Sequence, residues 1–333
     1  MLVMGIETSC DETSVSVVKN GRTVLSNVVS SSLRFHKQYG GIVPEIAFRK
    51  QLETIAQVAE SALREAGVDL KDIGLISVTD SPGLLGSLVV GISFAKAVSI
   101  GTGIPLLGVN HLHSHVFAGF LEEKKPRFPF TALIVSGGHS SLYYVRDFDR
   151  IRLMGSTKDD ACGEAFDKVA KILQQGYPGG PVIERLSKKG NAGRTRFNCL
   201  NSKEPYNFSF SGIKTAVLYY VKKNARKTVL SGRDGFVCDV AASFQDAVIE
   251  TLVVKSLTAC KSKKTKRLVI GGGVAANGRL RTVLSREGAA KGIEVFFPSR
   301  EYCMDNAAMV ACLGYYLYKK GHTSDLKLDI HFN

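Results

Sequence analysis

The strongest constraint on the fold is a pattern that the chain states twice. Residues 2–6, 13–18 and 23–29 are short apolar or alternating runs parted by turn-formers, Asp11-Glu12 in one gap and Asn20-Gly21 in the other, and they predict a three-strand meander. The same grammar returns with residues 130–136, a Gly-Gly turn, and residues 140–145 and 151–154. Helices and single strands follow each meander. In the first half they are a helix over 44–66, with Pro44 at its first position and Gly67 as its stop, a strand over 73–79, and an apolar helix over about 85–100. On the first helix, Leu52, Ile55, Ala56, Ala59 and Leu63 recur at helical spacing and predict one buried face. In the second half they are helices over about 160–174, 213–223 and 236–260, a strand over 267–270, a further helix, a strand over 294–297, and a last helix near 306–319. Alternating strands and helices imply α/β sheets, and the repetition implies a duplicated fold of two lobes with a cleft between them. The expected lobes are residues 1–127, joined by 306–333, and residues 128–305.

Charge divides unevenly over these halves. Residues 1–150 hold 14 Lys and Arg against 14 Asp and Glu, which leaves 30 against 16 in residues 151–333. The densest clusters are Lys222, Lys223, Arg226 and Lys227, then Lys261, Lys263, Lys264, Lys266 and Arg267. Such clusters neutralise phosphates and release counterions, or they are a solvated basic face. No apolar run reaches the roughly 18 to 20 residues that cross a bilayer, and residues 1–7 read as a strand rather than a targeting segment, so no membrane is expected. Seven cysteines without a C-x-x-C pair suggest neither a disulfide framework nor a thiolate zinc site, and a reducing cytoplasm suits them.

Three of the seven histidines, His111, His113 and His115, fall within five residues. On a helix, the four-residue spacing of His111 and His115 puts both imidazoles on one face within reach of a single ion. A zinc peptidase needs a Glu directly after the first histidine as general base, and Leu112 stands there instead. Three Gly- or hydroxyl-rich turns, over residues 7–13, 136–140 and 271–277, offer successive backbone N–H donors to an anion, with Ser136, Gly137, Gly138 and Asn277 among them. None matches a P-loop or a G-x-G-x-x-G fingerprint. Asp160, Glu164, Asp167 and Lys168 are expected on one side of a helix, either holding ribose hydroxyls or a cation, or forming an exposed charged face.

These segments resemble one family in order along essentially the whole chain. G-I-E-T-S-C-D-E-T from Gly5, G-G-I-V-P-E from Gly40, N-H-L-H-S-H from Asn110, V-S-G-G-H from Val135, G-E-A-F-D-K from Gly163, Y-P-G-G-P from Tyr177, F-S-F-S-G-I-K-T from Phe208, G-G-G-V-A-A-N from Gly271 and the Asp305-Asn306-Ala307 segment are similar to the TsaD family of bacterial tRNA threonylcarbamoyladenosine transferases, once described as O-sialoglycoprotein endopeptidases.

The resemblance implies a duplicated actin-like, sugar-kinase-like ATPase (ASKHA) fold with the nucleotide in the cleft. It implies one iron (Fe2+) or zinc (Zn2+) ion per subunit on His111, His115 and Asp305, and an adenine nucleotide site lined by Ile134, Val135, Ser136, Gly137, Gly138, Asp167, Gly180, Glu184 and Asn277. It further implies transfer of threonylcarbamoyl from threonylcarbamoyl-adenylate to N6 of the adenosine 3′ of the anticodon, in tRNAs that read A-starting codons, with AMP leaving. The expected partners are tRNA, a paralogous subunit of the TsaB type and a small P-loop ATPase of the TsaE type. Asp11, which would order a cation such as Mg2+ or a water near the phosphate, and His139 are the candidate catalytic residues. Two positions depart from the family pattern, Gln51 in place of His and Ser81 in place of Gly, and both lie outside the metal and nucleotide motifs. The rival readings are a metal-dependent peptidase, a plain ATPase or sugar kinase, and an ATP-binding scaffold.

Overall fold

The computed structural model describes residues 1–199, 204–230 and 233–331, and of residues 225–230, 233 and 234 the backbone alone. The chain forms two compact units, Met1–Pro126 with Pro298–Asn333, and Arg127–Phe297. Residues 298–305 therefore group with the first unit, where Ser299 N–H donates to the Glu122 carboxylate at 2.6 Å. The expected division was at residue 305.

The first unit is built on a five-stranded sheet in the order β3-β2-β1-β4-β5. Strands β1 (Leu2–Glu7), β2 (Glu12–Lys19) and β3 (Thr23–Ser31) form the antiparallel meander. Asn20 and Gly21 turn β2 into β3 at φ of 54° and 66°, a region open to Gly and tolerated by Asn. A short helix, α1 (Leu33–His36), and the long α2 (Pro44–Ala66) follow. Pro44 opens α2, and Gly67, at φ 66°, closes it by donating its N–H to Arg64 and Leu63 carbonyls. Strand β4 (Ile73–Ser81), α3 (Leu85–Thr102), β5 (Leu106–Asn110) and α4 (His111–Phe117) complete this half. Parallel strand β4 runs beside β1 and β5 beside β4, and nearly every residue of β4 is buried, its polar Ser77, Thr79, Asp80 and Ser81 included.

Two sequence expectations need correction here. Leu52 is 68% exposed, and the inner face of α2 is Ala47, Gln51, Ile55, Val58, Ala59 and Ala62. The helical period was right, but the face is rotated by one residue, so that a glutamine lies inside. Helix α3 is 18 residues long with a mean hydropathy of 1.5, enough by length and composition to cross a membrane. It packs on β4 and α2 with Ser87, Leu88, Val90, Gly91, Ile92 and Ala95 buried, while Leu85, Val89 and Ile100 are exposed.

The second unit repeats the arrangement. Its sheet runs β10-β9-β6-β7-β8, with β6 (Phe130–Val135), β7 (Ser140–Asp147) and β8 (Arg150–Ser156) antiparallel and β9 (Arg267–Gly271) and β10 (Glu294–Phe296) parallel to β6. Strand for strand this is the order of the first sheet. Helices α5 (Cys162–Ile172), α6 (Gly179–Ser187), α7 (Ser211–Leu230), α8 (Arg233–Lys263) and α9 (Gly278–Ala290) surround it. The last helix, α10 (Ala307–Lys319), belongs to the first unit and packs on β1, β2 and β4. A Cβ at Gly5 would collide with the Ala307 carbonyl, so the glycine in β1 is what lets α10 come that close.

Candidate active site

The metal candidates converge in the first unit. Asn110 ends β5 and caps α4, accepting from His113 N–H at 3.1 Å, so the helix begins at His111 and carries His111 and His115 one turn apart on the same face. Their rings are 4.7 Å apart and nearly perpendicular. Asp305, just ahead of α10, brings Oδ1 to 3.1 Å from His115 Nε2 and 3.6 Å from His111 Nε2. One ligand atom from each residue lies within 4.8 Å of the others, and the two histidines are buried. His113 lies outside this group, and burial lowers its pKa to about 4.

Glu7, at the end of β1, was not among the expected site residues. Its Oε2 sits 3.0 Å from His111 Nδ1 and accepts from Thr79 Oγ1 at 2.6 Å, while its Oε1 accepts from Ser9 N–H at 2.6 Å. Ser9 Oγ also reaches His111 Nδ1 at 3.1 Å. A carboxylate on Nδ1 fixes the tautomer and frees Nε2 as a ligand, the usual support of a metal-bound histidine. Burial opposes charge on His111, yet Glu7 and Asp305 carry its pKa up to about 9. Burial, with the Asp11 and Asp305 carboxylates beside it, pushes Glu12 up to about 10. Two imidazole nitrogens and a carboxylate oxygen, with further carboxylates crowded around them, suit a divalent metal ion.

Both departures from the family pattern touch this support, contrary to the expectation that they lie apart from it. Gln51 is fully buried, and its Nε2 faces the carbonyls of Glu12, Cys10 and Thr8 at 2.9, 3.1 and 3.3 Å. It thus ties α2 to the loop that holds Ser9 and Asp11. Ser81 Oγ donates to Asp80 at 2.8 Å and receives Asn110 Nδ2 at 3.4 Å, one bond from the cap of the histidine helix.

In the second unit, residues 136–139 make the tight turn between β6 and β7. Ser136 N–H donates to the His139 carbonyl at 2.8 Å, and His139 N–H to Ser136 Oγ at 3.2 Å. Gly137 and Gly138 are exposed, with open space where a Cβ would stand. The carbonyls of Ser136 and Gly137 accept the Gly163 and Glu164 amides of α5 at 3.0 and 3.1 Å, which ties the turn to the start of that helix. Ile134 and Val135 are fully buried in β6, between β7 and β9, and expose no atom to a ligand.

The other expected residues have structural partners. Asp167 Oδ1 accepts from Gly179 N–H at 2.6 Å at the start of α6, and Gly180 beside it faces open space. Glu184 Oε1 accepts from Gly278 N–H at 3.1 Å. Asn277 caps α9 through Leu280 N–H at 3.0 Å and donates to Gln245 Oε1 at 2.9 Å. The expected acidic helix face divides: Asp160 precedes α5 and binds Lys168 and Lys214 at 2.7 and 2.8 Å, Glu164 pairs with Lys168 at 2.8 Å, and Asp167 turns away to α6. Asp159, unmarked in the sequence, accepts from Ser209 Oγ, Phe210 N–H and both donors of Ser211, and so holds the start of α7.

Two sheets of identical strand order, each a meander extended by two parallel strands, define an α/β protein of the actin-like, sugar-kinase-like class. Solved structures agree at the level of fold. The Acidaminococcus fermentans (R)-2-hydroxyglutaryl-CoA dehydratase component A aligns with TM-score 0.56 at 15% identity, covering 97% of this chain and all of that one. Full-length HypF in its phosphate- and nucleotide-bound form aligns with TM-score 0.63 at 14% identity, over 97% of this chain and 47% of that one. The family model TsaD, tRNA N6-adenosine threonylcarbamoyltransferase, matches residues 23–312, and the chain belongs to that family. Proteins of that name from Thermodesulfovibrio yellowstonii and Caldicellulosiruptor saccharolyticus are 52% and 49% identical to it, over 99% and 97% of this chain and 98% and 95% of theirs.

Proposed function

We infer that this chain is a tRNA N6-adenosine threonylcarbamoyltransferase that takes the acyl group from threonylcarbamoyl-adenylate and places it on N6 of the adenosine 3′ of the anticodon. What carries the reading is the close relationship to enzymes of that name over nearly the full length of both chains. The peptidase alternative has no general base at Leu112, and a plain sugar kinase has no use for a buried His-His-Asp group.

The donor is a mixed anhydride, so AMP is already a good leaving group and no covalent intermediate on the enzyme is needed. N6 attacks the carbamoyl carbon, the carbon–oxygen bond to the phosphate breaks with its electron pair going to AMP, and the amine gives up one proton. The amides of Gly137 and Gly138 receive the phosphate, since glycine allows a close backbone approach there. His139, in the same turn, is the candidate acceptor for the proton, and Asp167 and Gly180 border the nucleotide. A bound iron or zinc ion would hold the threonyl hydroxyl and carboxylate or polarise the carbamoyl carbonyl. His111 and His115 would present Nε2 to it, Asp305 would offer Oδ1, Glu7 would keep His111 in the right tautomer, and Asp11 would order a cation or a water. A paralogous subunit and a small P-loop ATPase are the proposed partners, and the cytoplasm the proposed setting.

The test offers purified protein the adenylate together with tRNA, and casein in a separate tube. Threonylcarbamoyl on tRNA with casein intact is the expected result. Cleaved casein and unmodified tRNA would overturn the reading.

A further inference from the structure

The positive charge follows the structural division closely. Residues 127–297 hold 29 Lys and Arg against 14 Asp and Glu, and the first unit holds 15 against 16. Within the second unit, one concave patch gathers cations from two segments more than a hundred residues apart. A cavity of about 510 Å³ is lined by Tyr144 and Arg146 of β7, Asp149 of the β7–β8 turn, Arg150 and Arg152 of β8, and Lys263 at the end of α8. The Arg146 guanidinium stands 5.3 Å from the centre of the Tyr144 ring and Lys263 Nζ 5.7 Å from it. Tyr144 pairs directly across the ladder with Arg152. Lys263 also opens the basic run that continues through Lys264 and Lys266 to Arg267 at the start of β9.

Two bland explanations fall short. Strand β8 is a sheet edge, and charged side chains blunt edges against unwanted pairing, but charges of either sign would serve. Lysines near the end of α8 offset the helix dipole, but this does not require arginines from another element around the same ring. Four cations against one carboxylate in a concavity, two of them, Arg146 and Lys263, beside an aromatic ring, match sugar-phosphate backbone with a base to stack. Guanidinium forks take phosphate oxygens bidentately, and tyrosine and arginine planes take a base.

We propose that this patch on β7, β8 and the end of α8 binds the sugar-phosphate backbone of the tRNA substrate, with Tyr144 as a stacking platform. The proposal rests on the tRNA-transferase reading and adds to it the surface that grips the tRNA. Arg226 and Lys227 of the other basic cluster lie outside the described side chains, while the cluster from Lys261 to Arg267 adjoins a formed cavity.

The test uses the full-length protein and the triple variant Arg150→Gln, Arg152→Gln, Lys263→Gln. Direct tRNA binding is measured over a salt series, and transfer from adenylate over a tRNA series. Each phosphate that the protein no longer neutralises flattens the slope of log affinity against log salt by roughly 0.7 to 0.9, so the triple variant is expected to show a slope shallower by about two units. Its KM for tRNA should rise at least tenfold, while kcat at saturating tRNA and affinity for the adenylate stay near wild type. Tyr144→Leu should weaken tRNA binding roughly fivefold or more with the salt slope unchanged, because stacking carries no counterions. Wild-type salt slope and tRNA KM in the triple variant, beside a wild-type enzyme that modifies tRNA, would overturn the proposal. So would a fall in kcat and adenylate affinity with the slope intact, since that marks structural damage. A wild-type protein that fails to modify tRNA overturns the functional reading instead.

Discussion

Glu7 Oε2 lies 3.0 Å from Nδ1 of His111, and the same oxygen is held in place by Thr79 Oγ1 at 2.6 Å. The carboxylate at the end of the first strand therefore sets which nitrogen of His111 faces Asp305.

Glu7→Gln is expected to keep the shape of this interaction and remove its charge. Outer-shell partners of this kind are typically worth 10- to 100-fold in metal affinity. The variant should bind iron or zinc about that much more weakly in a chelator competition, whereas the double substitution of His111 and His115 by alanine should carry no metal on elemental analysis. Wild-type affinity in Glu7→Gln would show that the ring is oriented by Ser9 alone.

Gln51 should matter to stability out of proportion to its place in the sequence. Gln51→Leu removes the donor that faces the carbonyls of Thr8, Cys10 and Glu12 inside the protein. Leaving buried acceptors without a partner costs about 1 to 3 kcal/mol each, and the loss falls on the Thr8 and Glu12 carbonyls, since that of Cys10 keeps Ser87 Oγ at 3.2 Å. The expected loss is about 2 to 4 kcal/mol in urea unfolding. A loss under about 0.5 kcal/mol would mean that the loop is held by its other bonds.

The turn proposed to hold the phosphate, residues 136–139, separates a binding effect from a folding effect. At Gly137 an added side chain meets open space, so Gly137→Val should fold normally and bind adenine nucleotide more weakly by calorimetry. At Gly163 a Cβ would stand 2.6 Å from the Ser136 carbonyl and 2.8 Å from Gly137 Cα. Gly163→Ala should therefore displace the turn and lower both nucleotide affinity and thermal stability. Equal nucleotide affinity in Gly137→Val and wild type would exclude this turn as the phosphate site.

What the sequence disclosed was mostly local. Asn20-Gly21, Pro44 and Gly67 act through their own backbone dihedrals, and each lies where its residue type predicts. The two meanders were legible because each is continuous in sequence, whereas the order in which the later strands join each sheet was not. The inner face of α2 was not, because a 3.6-residue period shows that a face exists but leaves its exact rotation to what packs on it, and here the loop 8–12 draws Gln51 inward. His111 and His115 share one helix turn and could be seen, whereas Asp305 comes from 190 residues beyond His115 and rested on resemblance alone. Glu7 was hidden in plain view, since a strand-end carboxylate has no periodic signature and its role depends on a histidine more than a hundred residues away.

Asp167 should make stability depend on pH in a direction opposite to that of most carboxylates. Burial raises its pKa from an ordinary 3.8 to about 6, the Gly179 N–H opposes the rise and Glu164 adds to it. With the folded value above the unfolded one, the native state binds more protons between about pH 4 and 6. The contribution of this group is then most favourable below pH 4, declines as pH rises through 6, and remains a penalty at pH 7, on the order of 1 to 3 kcal/mol. Asp167→Asn keeps an oxygen that can accept from Gly179 and removes the charge. At pH 7 the variant should be more stable than wild type in urea, the difference should shrink as pH falls from 7 to 4, and nucleotide affinity should drop with the loss of the carboxylate proposed to border the nucleotide. A stability difference that does not change over that pH range would place the titration elsewhere, and unchanged nucleotide affinity would remove Asp167 from the ligand site.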